Sequence, residues 1–340
     1  MEDAGKKGIA GRFSAALKKT GLDAFVLLLV LMIVLAKLWP APGAGDGPYS
    51  LQAIAGYGVS LIFFFYGLRL HPAKLKAGLA NWKLHVVVQL STFILFPVVI
   101  LGARGLFMQP GTELTWLSVY FLAALPSTVS SSVVMVSIAE GNIPAAIFNA
   151  SISSLLGVFI TPLLMALVTT TSGGDMDLGG VMLKLCLQVL LPVVLGFLLN
   201  KRFGAFAEKH KTRLRQMDQS VILLIVYTAF CESFENGVFA GFKALDIVLM
   251  GAAMIVLFLV AFFLITFICN LLGFNREDRV VAVFCGSKKS LIHGTVMSKV
   301  LFAHTPDVIG VMLLPLMLYH ALQIILASAI AQRMSRNAAR

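Results

Sequence analysis

Apolar residues run along this chain in blocks of about 20, the length at which an α-helix crosses a hydrocarbon core of roughly 30 Å. The blocks lack the short apolar–polar alternation of a barrel strand. Stretches rich in glycine, proline or charge separate them. The pattern predicts ten spans, at 23–40, 51–70, 84–108, 114–139, 144–170, 180–200, 218–238, 246–272, 279–301 and 306–332. Lipid offers a backbone no hydrogen bonds, so each segment must satisfy its own. The expected fold is therefore an all-α polytopic membrane protein.

Composition sharpens this reading. Of 340 residues, 59% are hydrophobic and only 13% charged, where soluble domains carry about a quarter charged. Mean hydropathy is +0.91, and a soluble protein is excluded. Lys and Arg gather in alternate connections: Lys6 to Lys19, Arg69 to Lys83, Lys201 to Arg215, Arg276 with Arg279, and Arg333 to Arg340. That asymmetry puts both termini in the cytoplasm, 1–22 as an N-terminal segment and 333–340 as a tail, and favours an even number of spans in the cell membrane. The net charge of +11 is then a topology signal with some affinity for the lipid bilayer, and no nucleic acid partner is expected. Cys186, Cys231, Cys269 and Cys285 form no metal-binding spacing and read as buried free thiols. A cleaved signal peptide at the first apolar run is disfavoured, because that run has a counterpart later in the chain.

The counterpart belongs to an internal repeat. Ile160-Thr161-Pro162-Leu163-Leu164-Met165 in span five matches Leu313-Leu314-Pro315-Leu316-Met317-Leu318 in span ten, the prolines lying 153 residues apart. Span four is interrupted by Pro126-Ser127-Thr128-Val129-Ser130-Ser131-Ser132 and span nine by Gly286-Ser287-Lys288-Lys289-Ser290, at about the same offset. Two five-helix repeats, 23–170 and 171–332, fit these matches. An odd number of spans per repeat inverts the second copy, the plan in which paired broken helices build a midplane site.

Lys288 and Lys289 are the sharpest chemical signal, since a lysine at a helix centre costs roughly 2.5–3.5 kcal/mol unless it faces protein or water. Neighbours on a helix point about 100° apart, so one lysine is expected at the site and the other at a different helix or an unwound carbonyl. Polar partners for substrate or ion are Gln89, Ser130, Ser131, Ser132, Asn149, Ser153, Ser287, Ser290, His293, His320 and Gln323, with His320 and Gln323 one turn apart. Ser151 and Ser154 accompany them in span five. Glu232 and Glu140 read better as solvated carboxylates. No HExxH, GxSxG or glycine-rich phosphate loop is present, so no enzyme is expected; a Ser/Lys dyad at Ser287 to Ser290 is the one enzymatic alternative, rated well below transport.

Phe63-Phe64-Phe65-Tyr66-Gly67-Leu68, Lys83-Leu84-His85 with Gln89, Ala145-Ala146-Ile147-Phe148-Asn149, Ile160-Thr161-Pro162-Leu163-Leu164, Phe284-Cys285-Gly286-Ser287-Lys288-Lys289-Ser290-Leu291 and Tyr319-His320 with Gln323 resemble the bile acid:sodium symporter superfamily, in its sodium/bile acid cotransporter-like (SBF-like) branch. The resemblance runs from span one to span ten. It implies a panel domain (helices 1, 2, 6, 7), a core domain (helices 3–5 and 8–10) and broken, crossing helices 4 and 9.

The resemblance also implies where cations bind in sodium-coupled members: a Ser and an Asn after the first break, hydroxyls of span five, and a Glu and a Gln at the second break. Here Ser132 matches the Ser, but Val133 stands for the Asn, Phe284 for the Glu and Lys288 for the Gln. An ammonium group repels Na⁺. Sodium remains conceivable near Ser132 and Asn149, yet Lys288 is expected either to replace a bound sodium ion permanently or to exchange a proton, making H⁺ the other coupling ion. Helix N-termini at the breaks together with a lysine point to a small organic anion as cargo. No cofactor or metal beyond the coupling ion is expected. The alternative in another class is a transporter-like membrane regulator of ion homeostasis, docking partners through the basic 201–215 stretch.

Overall fold

The computed structural model describes residues 24–45, 47, 49–70, 81–107, 111–171, 180, 183, 186–240 and 242–338. The N-terminal segment 1–22, Lys74 and Lys76 of the second connection, the start of the second repeat with Lys184, the side chain of Cys186, and Arg340 lie outside the described residues. The described chain is helical throughout: α1 (Ala24–Leu38), α2 (Leu51–Leu68), α3 (Trp82–Gly102), α4 (Glu113–Ala124), α5 (Ser130–Ile138), α6 (Ile143–Thr171), α7 (Leu187–Lys209), α8 (Lys211–Glu235), α9 (Ala244–Leu271), α10 (Arg276–Gly286), α11 (Leu291–Leu301) and α12 (Ile309–Ala338). Seven of these, α2, α3, α6, α7, α8, α9 and α12, are long and apolar enough to cross a membrane, so this is a multi-pass membrane protein.

Spans four and nine are each two helices, α4 with α5 and α10 with α11. At the first break Leu125 precedes Pro126 and is extended (φ −74°, ψ 153°), as the ring of a following proline requires. Span seven also differs from expectation. The basic stretch 201–215, expected as a loop, is helical: α7 runs to Lys209, α8 starts at Lys211 and His210 alone makes the turn. Its Ala, Glu, Lys and Arg are good helix formers, and no proline interrupts them.

Two groups of helices result. In the first, α7 lies directly on α2: a methyl group on Gly67 would strike the carbonyl oxygen of Val193, and one on Gly196 that of Phe64. Small residues thus bring two backbones into contact, the usual device where lipid removes any hydrophobic drive for helix pairing. α8 packs on α1 and α2, with the Tyr227 hydroxyl donating to Trp39 O (2.7 Å) and Arg69 paired to the buried carboxylate of Asp218 (2.9 Å). In the second group α12 packs on α4, α9 and α11, while α10 packs on α3, α5, α6 and α9; the groups are joined where α8 packs on α11 and α12. Gly157 of α6 leaves room for the ring of Pro126, and so seats the first break. The two helices that start after α9 carry their own caps: Asn275 Oδ1 accepts from Asp278 N and Ser290 Oγ from His293 N. Asp278 also accepts from Asn81 (2.6 Å) and Asn142 (3.2 Å), tying three connections together at one end of the group.

Candidate functional site: two broken helices that cross

The breaks touch through their main chains, Ser290 N donating to Pro126 O at 2.9 Å. Each broken helix exposes carbonyls that have lost their helical partners, and every one must be satisfied where water is scarce. At the first break Ala124 O accepts from the Thr161 hydroxyl of α6 (2.8 Å), while Ser127 N turns away from the helix to Ser153 Oγ (3.0 Å). Ala123 O and Leu125 O are left over. Both accept from one group, the ammonium of Lys289, at 2.6 and 2.8 Å.

The third donor of that ammonium goes to Thr92 O of α3 at 2.7 Å, and the sequence explains why this carbonyl is free. Residues Ser91–Leu95 form a π turn in which Phe96 N bonds Ser91 O, five residues back. By the same step the next residue would answer Thr92 O, but it is Pro97 and has no N–H. Lys289 therefore sits fully buried with all three N–H groups on main-chain carbonyls and its charge 4.2 Å above the ring of Phe96. Its own main chain is clamped by Gln323 of α12, which accepts from Lys289 N and donates to Lys289 O, both at 2.9 Å.

Lys288 is equally buried and differently used. Its ammonium donates to Ser131 O at 2.9 Å and lies 5.9 Å from the ring of Phe284, which stands where the resemblance implies a carboxylate. The helical 100° argument for the two lysines does not apply, since both lie in the unwound segment between α10 and α11; that segment, rather than a helix, sends them to different partners. Ser287 O accepts from the hydroxyl of Tyr319 (2.6 Å). Ser290 Oγ contacts His293 Nδ1 at 2.9 Å, and the His293 ring packs edge-on against Phe63 and Tyr66 of α2, so this residue faces the other helix group.

The remaining expected residues divide. Ser132 is buried, its Oγ 2.8 Å from Thr128 Oγ1, which also reaches Ser131 Oγ at 2.7 Å. Ser130, the first residue of α5, is exposed. Gln89 donates to Asn149 O (3.2 Å), and Asn149 Nδ2 reaches His85 Nδ1 (2.9 Å), a cluster between α3 and α6. His320 and Gln323 do face the same way, 3.2 Å apart. Buried with no hydrogen-bond partner among the described residues are Ser127 Oγ, Ser287 Oγ, Gln89 Oε1 and His293 Nε2, which leaves the region with capacity to bind a polar solute. Neither lysine bonds a serine hydroxyl, so no Ser/Lys dyad forms.

Thr92 and Pro97 were missed as members of this arrangement, though Pro97 carried a signal, a proline within an apolar run that frees a carbonyl; Thr161 and Tyr319 stand in the motifs that carry the resemblance but were not named as site residues. Glu232 needs correction: it is a half-buried residue of α8, not a solvated loop carboxylate. Its Oε2 accepts from Gln52 Nε2 (2.8 Å), and Gln52 O accepts from Lys299 Nζ (3.1 Å), beside a cavity of about 350 Å³. Along the same edge the Ser233 hydroxyl donates to Asp307 O and accepts from Gly310 N, linking α8 to the start of α12. Glu140 remains an exposed turn residue, at φ 56°. Cys231, Cys269 and Cys285 are buried and free, as expected.

An all-helical membrane protein with two broken helices meeting at a polar, lysine-bearing crossing has the build of a secondary transporter. Residues 23–336 match the SBF-like CPA transporter family (DUF4137), and the chain belongs to it. It is similar to "Uncharacterized protein PA2026" of Pseudomonas aeruginosa (39% identity, 93% of each chain) and to "Putative symporter YfeH" of Escherichia coli (37%, covering 93% and 94%). It is also similar to sodium/bile acid cotransporter 7-B of Xenopus laevis (32%, covering 90% of each chain). This is a transporter family and not an enzyme family.

Proposed function

We propose that the chain moves a small organic anion across the cell membrane by alternating access at the crossing, without needing sodium. In this reading it has ten spans in two inverted five-helix repeats, 23–170 and 171–332, with both termini cytoplasmic. Helices α1, α2, α7 and α8 form the panel, and α3–α6 with α9–α12 form the core that moves against it. The reading rests on the family, on its similarity to a putative symporter and a sodium/bile acid cotransporter, and on one observation at the site. An ammonium, that of Lys289, occupies a cage of three carbonyls where broken helices would otherwise call for a cation.

Lys289 is thus the internal cation of the fold, and Lys288 is the charge offered to cargo. Lys288 donates to Ser131 O, and the hydroxyl of its chain neighbour Ser287 has no hydrogen-bond partner among the described residues. The N-termini of α5 and α11 both begin at the breaks and favour a negative group there. Gln89, Ser131, Ser132, Asn149, Ser153, Ser290, His293 and Gln323 shape the rest. The sequence-based assignment of the sodium-replacing charge to Lys288 alone is refined here into two lysines with separate duties.

The test is a thermal melt of the purified protein in Na⁺, K⁺ and choline chloride at equal ionic strength, joined to uptake of radiolabelled taurocholate and short carboxylates by proteoliposomes. A ligand that binds only the folded state raises the melting temperature by mass action. Equal melting in all three salts, with uptake that Na⁺ does not stimulate and Lys288→Gln abolishes, is the expected result. A rise specific to Na⁺, or uptake untouched by Lys288→Gln, overturns the assignment.

A further inference from the structure

The ends of α7 and α8 that meet at His210 combine two features that water alone does not favour together. After Asn200, whose side chain donates to Leu68 O at the end of α2, the residues of α7 turn polar and basic, yet the Phe203 side chain is 43% exposed and that of Phe206 55%. Three residues apart, the two rings lie on one side of the helix. The side toward the protein is made of small residues. Gly204 and Ala207 are buried, and Ala207 joins Leu214 of α8 and Leu68 of α2 in an apolar cluster on which Phe64 and Phe65 pack. The fold leaves the larger rings outside.

Basic groups surround them. Lys201, Arg202 and Lys209 of α7 and Arg213 of α8 are exposed and have no ion pair among the described residues. Both acids between 201 and 218 are paired to other bases, Glu208 to Lys211 at 2.8 Å and the buried Asp218 to Arg69 at 2.9 Å. The Arg202 guanidinium lies 5.7 Å from the ring of Phe203, and the ring of His210 lies 4.3 Å from that of Phe206. Depth matters as much as charge. Leu68 ends an apolar span, and a helix rises about 1.5 Å per residue, which puts Lys201 and Arg202 about 2–3 Å beyond the level of Leu68 O and Phe206 about 9 Å beyond it. A headgroup layer extends roughly 5–8 Å from the hydrocarbon, so these residues stand where lipid phosphates do.

We propose that this end of α7 and α8 is a docking surface for anionic phospholipid headgroups, with Lys201, Arg202, Lys209 and Arg213 meeting phosphates and Phe203 and Phe206 entering the boundary between headgroups and acyl chains. A basic helix with exposed aromatic rings is drawn both to apolar depth and to negative charge, and an anionic bilayer supplies the two together. A dissolved anion answers the charges and leaves the rings in water. Since α7 and α8 both pack on α2, lipid bound here fixes the depth of the first helix group in the bilayer.

The test places the full-length protein in nanodiscs of palmitoyl-oleoyl phosphatidylcholine, alone or mixed with the matching phosphatidylglycerol, and reads the melting temperature together with the lipids retained in native mass spectrometry. Phosphatidylglycerol is expected to raise the melting temperature and to be the lipid retained, and salt near 1 M, which screens charges beyond about 3 Å, should remove both effects. Each single replacement among Lys201→Gln, Arg202→Gln, Lys209→Gln and Arg213→Gln should lower the preference for phosphatidylglycerol about fivefold, and the four together should abolish it. All four positions are exposed, so these variants should melt like the parent in phosphatidylcholine alone. Phe203→Ser with Phe206→Ser should reduce retention of both lipids and leave the preference between them. Equal melting in the two nanodiscs at low salt, a preference that survives the four replacements, or stabilisation by dissolved glycerol phosphate as large as by lipid would each overturn the proposal.

Discussion

Where α7 meets α2, glycines bring two backbones together and side chains add only hydrogen bonds to main-chain carbonyls, from Asn200 to Leu68 O and from Ser60 to Gln188 O; where α4 and α5 meet α10 and α11, side chains do almost everything. Gly67 and Gly196 act by what they lack, so that contact depends on size and tolerates no added atom. At the crossing the helices have given up main-chain bonds, and Lys289, Gln323, Thr161 and Tyr319 replace them group by group. That contact depends on charge and on hydrogen-bond direction, and it tolerates change only if a new partner appears. The first kind of interface suits helices that move as one body. The second kind suits a site, because a solute can compete for the same groups.

The contrast can be broken most severely at Lys289. Lys289→Met leaves three carbonyls without a donor, each worth about 1–3 kcal/mol, so stability should fall by at least about 3 kcal/mol. A thermal melt with an unchanged midpoint would show that the cage is not structural. Next comes Gly196→Leu, where any side chain meets the Phe64 carbonyl: overpacking should cost about 1–3 kcal/mol, and the polar Gly196→Ser should be no better than Gly196→Ala. Rescue by a polar group there would mean that hydrogen bonding, and not size, governs α2 and α7.

Arg69→Gln removes the partner of the buried Asp218, whose second oxygen already has none among the described residues. Because Arg69 is partly exposed, the loss is put at about 1–2 kcal/mol, read from the melting midpoint. The smallest effect on stability belongs to Lys288→Gln, which gives up one hydrogen bond worth about 1 kcal/mol. Melting should barely shift while anion uptake is lost. Equal damage to stability from Lys288→Gln and Lys289→Met would erase the division of labour between the two lysines.

Much of this was legible in the chain. Long apolar blocks announce helices because a membrane leaves the backbone no other partner, and Pro126 and the Gly286-to-Ser290 stretch announced where two helices stop. Lys288 and Lys289 stood out because a charge in hydrocarbon is costly. Which of the two faces the site was not legible: adjacent residues of one type carry no mark of which carbonyls the fold will bring to them. Glu232 was misread for a related reason, since its partner Gln52 lies 180 residues away.

By itself, then, the sequence determined what depends on the solvent and on local covalent structure: that the chain is helical and membrane-bound, where its helices break, and which side chains are too polar to lie idle there. Only the tertiary structure decided what depends on distance between remote segments. It brought Thr92, Ala123 and Leu125 around one ammonium, left Ser130 exposed and made the basic stretch helical. Hydropathy acts on each residue where it stands, whereas a hydrogen bond exists only when the fold delivers both of its partners.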